Sequence, residues 1–96
     1  MQDLNIGLLQ FDQSWENKTK NYQKIDSFLK DKKEIDLLLL PEMFHTGFTM
    51  NINMSETMVN SEGLDFLKQL STSRKCAVFT SLIIQEKKKF FNRGVF

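Results

Sequence analysis

The chain has one cysteine, one proline, one histidine and four glycines in 96 residues. A single cysteine excludes an internal disulfide and fits a reducing compartment, with the cytoplasm as the default setting. One histidine and one distant cysteine make no ligand set, so no metal is expected. The glycines stand at 7, 47, 63 and 94. That spacing fits neither a dinucleotide fingerprint nor a phosphate-binding loop, and no cofactor is called for. An excess of one charge is missing too. Thirteen basic and twelve acidic residues leave +1, which implies no nucleic-acid partner. No apolar run approaches the ~20 residues of a membrane span, and the opening Met1-Gln-Asp-Leu-Asn lacks a signal-peptide layout. Repeats and low-complexity tracts are absent.

Hydrophobic residues at 41% and charged residues at 26% fit a globular protein of at most one domain. A chain this short buries somewhat over ~60% of its unfolded surface, so its core is thin. Its organising stretch is residues 35–44. A charged break, Lys32-Lys33-Glu34, precedes Leu37, Leu38, Leu39 and Leu40; Pro41 ends the run, and Glu42 follows. Four leucines are too few for a buried helix and suit a strand covered on both faces. Proline ends such a strand because it cannot donate to the ladder. Glu42 is thereby set beyond the carboxyl end of a central strand, where open α/β sheets bind ligands. A carboxylate there reads either as a solvated loop residue or helix cap, or as a general base, a group that works best when it titrates near the operating pH.

The remaining elements follow in order. Residues 4–11 read as a first strand, with Gly7 marking close approach of another backbone. Ser14 is the expected N-cap of a helix over residues 15–30, with Glu16 in its first turn. Tyr22, Ile25, Phe28 and Leu29 form its apolar stripe, and Lys18, Lys20 and Lys24 its solvated face. Strand, helix and strand then make a parallel unit with a right-handed crossover. Residues 45–60 are a long loop of the functional or mobile kind, whose His45 is taken as solvated. Ser61 caps a second helix, closed by Arg74 and Lys75. Residues 76–84 read as a buried strand headed by Cys76, a small hydrophobe there. The charge run Glu86-Lys87-Lys88-Lys89 is a solvated turn into a last strand over residues 90–96, completing a hairpin.

Residues 37–50, Leu-Leu-Leu-Leu-Pro-Glu-Met-Phe-His-Thr-Gly-Phe-Thr-Met, resemble the first catalytic segment of the nitrilase (carbon-nitrogen hydrolase) superfamily. The match is closest to its omega-amidase-like branch. Residues 4–10 resemble that family's first strand. Thr80-Ser81-Leu82 and Phe91-Asn92-Arg93 resemble its later strands. The resemblance implies an α/β fold, the N-terminal part of an α-β-β-α nitrilase-like sandwich, in the order β-α-β-loop-α-β-β, with residues 1–96 inside one domain. It implies a glutamate base, a lysine that stabilises the oxyanion and a cysteine nucleophile that forms a thioester. Only the glutamate carries over, onto Glu42. In the family the lysine lies beyond the strand equivalent to residues 90–96, and the cysteine further on. Cys76 and Lys87 to Lys89 therefore do not match.

The expected partner is a small-molecule amide, such as an α-keto acid ω-amide, cleaved to acid and ammonia. Phe44 and Phe48 flank Glu42 as candidate substrate-binding residues, or as aromatics covering the core. Arg93 is expected to hold a carboxylate in a buried pair. Homodimers across helix layers are common in the family. The chain stops inside an expected strand, so the expectation is the N-terminal portion of a longer amidase, silent alone. The competing reading is a non-catalytic binding or assembly module. A flavodoxin-like domain shares the opening but is weakened by the missing glycine loop.

Overall fold

The computed structural model describes residues 3–32 and 34–96. Lys33, part of the charged break, lies outside the described residues, as do Met1 and Gln2. The elements are β1 (Ile6–Leu8), α1 (Lys18–Leu29), β2 (Leu37–Leu39), a short 3-10 turn (Ile52–Met54), α2 (Glu62–Arg74), β3 (Ala77–Glu86) and β4 (Lys89–Val95). They build one four-stranded sheet in the order β1-β2-β3-β4. β1, β2 and β3 are parallel; β4 runs antiparallel to β3. This is the mixed α/β order expected above.

The sheet has two unlike faces. Leu38, Val78, Leu82 and Ile84 point to one side and join Ile25 and Leu29 of α1 and Leu67 and Leu70 of α2 in the core. Strand side chains alternate between faces, so their neighbours point the other way. There Ile6, Leu8, Phe79 and Phe90 are exposed. β2 was expected to be covered on both sides. Instead Leu38 is 1% exposed while Leu37 and Leu39 are half-buried, because both helices pack on one face.

Several local expectations change. Asn17, not Ser14, caps α1, its side chain accepting from the Lys20 N–H. Glu16 lies before the helix, at φ 52°, and its carboxylate accepts from Thr49 and Asn51. Gly7 gives room to a side chain: a Cβ there would meet Ile35 at 3.1 Å. Ser61 does cap α2, accepting from the Leu64 N–H. Lys87 and Lys88 both take left-handed backbone, the conformation of a two-residue hairpin turn. Among the described residues no helix is long and apolar enough to cross a membrane.

Candidate active site

Glu42 follows β2 where the leucine run gives way to Pro41. Polar groups on β3 fix the backbone on either side of it. The Thr80 hydroxyl donates to the Pro41 carbonyl at 2.7 Å, and the Met43 N–H donates to Ser81 Oγ at 2.9 Å. The Phe44 N–H adds a bond to the Ser81 carbonyl at 3.3 Å. Met43 sits at φ 49°, a left-handed conformation that costs a side chain roughly 1 kcal/mol or more. Its carbonyl is held in that turn by the N–H groups of Thr46 and Gly47 and by the Gln13 amide. Gly47 is needed at φ 81°, with the Trp15 ring 3.2 Å from where a Cβ would stand.

The Glu42 side chain is exposed and reaches over the open face of the sheet. Its Oε2 accepts from Asn92 Nδ2 at 2.9 Å. It lines a cavity of about 290 Å3 with Leu40, Phe79, Thr80, Ser81, Asn92 and Gly94. Larger hollows of about 610 and 400 Å3 lie along α2, away from Glu42. Phe48 is 61% exposed and lines a neighbouring apolar cavity of about 230 Å3, which shares Asn92 with the first. Phe44 is 0% exposed. It stacks on His45 at 4.6 Å and packs near Tyr22 and Phe66, so it is a core aromatic with no surface left for a substrate.

A second constellation lies where only loop was expected. Glu56 is buried, and one of its oxygens meets Lys18 Nζ at 2.7 Å and His45 Nε2 at 3.2 Å. The other accepts from the Ser61 hydroxyl at 2.5 Å and the Gly63 N–H at 2.9 Å. A carboxylate only accepts, so Nε2 of His45 carries the proton. Burial works to raise the Glu56 carboxyl, but the bonds from His45, Lys18, Ser61 and Gly63 outweigh it and hold it well below the usual carboxylate range. His45 is therefore no solvated loop residue; it is fully buried. Lys18 leaves the solvated face assigned to it. Asn21, also fully buried, ties α1 to this knot by donating to the carbonyls of Ser14 and His45.

The long loop is consequently fastened along its length. Glu56 also bonds through its backbone to Ile83 and Gln85 of β3. One signal in the sequence pointed to missed residues. Thr80 and Ser81 are hydroxyls inside an apolar strand, and buried hydroxyls need partners. Glu56 is five residues before the Ser61 cap, and only the fold brings it onto the Ser61 hydroxyl and the Gly63 N–H at the start of α2.

Cys76 belongs to the core at the head of β3, and burial pushes its thiol up, away from the nucleophilic thiolate. Arg93 does pair with a carboxylate, Glu86 at 2.7 Å, but both side chains are partly or largely exposed rather than buried. Among the described residues no group of three or more His, Cys, Asp or Glu could hold a metal ion.

The mixed sheet thus carries Glu42 just past the end of β2, beside a cavity on its open face. The chain belongs to the carbon-nitrogen hydrolase family, which residues 5–96 match. Omega-amidase YafV of Yersinia enterocolitica is a curated relative, 29% identical over 93 residues, or 97% of this chain and 36% of the relative. The fold also matches XC1258 from Xanthomonas campestris, a CN-hydrolase superfamily protein whose crystal structure carries an arsenic adduct in the active site. The TM-score is 0.88 at 25% identity, covering 98% of this chain and 36% of the other. The chain thus spans about a third of the length of these relatives.

Proposed function

We propose that this chain supplies the general base of an omega-amidase-like hydrolase, and that Glu42 is that base. The supporting observation is the clamped Pro41-Glu42-Met43 segment, which presents an exposed carboxylate at a cavity that Thr80, Ser81 and Asn92 also line. Membership of the carbon-nitrogen hydrolase family and likeness to an omega-amidase support the reaction class. In this reading Glu42 takes the proton of a cysteine thiol. The S–H electron pair stays on sulfur, which attacks the amide carbon; the oxyanion collapses, the C–N bond breaks, and Glu42 gives its proton to the nitrogen, which leaves as ammonia. Glu42 then takes a proton from water, whose oxygen attacks the thioester; the C–S bond breaks, the acid is released and the proton returns to sulfur. A lysine balances the oxyanion. In this reading that lysine and cysteine come from outside residues 1–96.

The substrate class is small amides such as α-keto acid ω-amides, with 2-oxoglutaramate as the first to try. Phe48 would contribute apolar contact beside the carboxylate. A cytoplasmic setting and a homodimer go with this reading; cell fractionation and light scattering test them. The central test is ammonia release from 2-oxoglutaramate by the protein carrying this segment. Release that disappears in Glu42→Gln is expected, and full release by that variant overturns the assignment.

One observation favours a second reading, a non-catalytic assembly module. The open sheet face exposes Ile6, Leu8, Phe79 and Phe90. Self-association of the chain without ammonia release would support that alternative.

A further inference from the structure

We propose that Asn92 is a positioning residue that fixes which oxygen of Glu42 works; this rests on the assignment of Glu42 as base. The backbone around Glu42 is held from β3, but its side chain is exposed, with rotatable bonds of its own. Among the described residues, the hydrogen bond from Asn92 is what holds the carboxylate itself.

The register explains why Asn92 reaches it. Asn92 pairs with Ile83, and Gly94 pairs with Ser81. Directly paired residues share a face, so Asn92 stands on the open face beside the serine that anchors Met43. Gly94 contributes no side chain between them. Because a carboxylate has no proton to give, the amide NH2 must be the end that faces Glu42. It binds Oε2 at 2.9 Å and leaves Oε1 to take the proton.

A neutral donor also suits the task. A hydrogen bond to the ionised form favours it, while a lysine or arginine there would hold the charge more tightly and weaken the base. Asn92 further lines both the cavity beside Glu42 and the apolar one beside Phe48.

The test is the pH profile of kcat/KM for ammonia release in Asn92→Ala and Asn92→Asp, with folding checked by denaturation midpoint. Asn92→Ala should lower kcat/KM about tenfold and move the acid limb to higher pH, as the bond favouring the ionised form is lost. Asn92→Asp sets a second carboxylate against the first and should move the limb further in the same direction. Limbs that superpose on the parent's overturn the proposal, since a purely structural role scales the rate without moving the profile. An activity-free readout works on the chain itself. The Asn92 side-chain amide resonances should titrate with acid and stop doing so in Glu42→Gln; resonances that ignore pH overturn the proposal. If Glu42→Gln keeps full activity, the base assignment itself has failed. If Glu42→Gln is silent while the Asn92 variants keep rate and profile, only the positioning role has failed.

Discussion

Glu42 and Glu56 lie close in sequence and in opposite surroundings. Glu42 is exposed and accepts from Asn92. Glu56 is buried and bound by Lys18, His45, Ser61 and Gly63. A saturated carboxylate has no lone pair left for chemistry and every reason to stay ionised. A carboxylate with one oxygen engaged keeps the other available. The difference separates a residue that builds the site from one that we assign to work in it, and the two should fail in different assays.

The largest effect is expected at Glu56. Glu56→Ala leaves Lys18 and His45 without their carboxylate, and breaking such a buried pair costs on the order of 3 kcal/mol or more. Urea denaturation should show it, while Glu42→Gln stays within about 0.5 kcal/mol of the parent, as surface changes do. Equal losses at both positions would erase the contrast.

Gly63→Ala attacks the same knot from the helix side. Its Cβ would stand 2.8 Å from Nε2 of His45 and 3.0 Å from Oε1 of Glu56. A fully buried histidine has little room to retreat, so a loss of about 1–3 kcal/mol is expected. A variant as stable as the parent would show the knot to be looser than described.

Acid sharpens the comparison further. The Glu56 carboxyl is lowered in the folded state from an ordinary 4.5. A lowered group binds its proton more readily when unfolded. Its contribution to stability is therefore complete above the unfolded value and lost as pH falls through the folded one. The protein should lose stability progressively below about pH 5. Glu56→Gln should flatten that acid limb in a series of denaturation curves, and an unchanged limb would remove Glu56 as its source.

Smaller effects are expected along the clamp. Ser81→Ala leaves the Met43 N–H unpaired and should cost about 1–3 kcal/mol. It should also lower ammonia release by more than the stability loss explains. Arg93→Ala loses only an exposed pair with Glu86 and should stay within about 1 kcal/mol.

The sequence was legible where periodicity or chain punctuation carried the signal. The strand before Pro41, though not its cover on both faces, the serine at the head of α2 and the lysine turn of the hairpin read correctly, because each depends on local rules. The knot was not legible. It joins Lys18, His45, Glu56 and Ser61 from a helix, a loop and a cap, and no local pattern brings them together. Lys18 looked solvated because lysine on a helix usually is. His45 looked solvated because the loop around it has no period. Phe44 and Phe48 are near neighbours in sequence, yet the left-handed turn at Met43 helps send one into the core and the other to the surface.

The most direct measurement is the rate of ammonia release by Glu42→Gln at a folded fraction matched to the parent. Loss of a positioned general base predicts a fall of about a hundredfold or more, with an unchanged denaturation midpoint. A rate near the parent's, in a protein equally folded, would contradict the assignment of Glu42 as the working carboxylate.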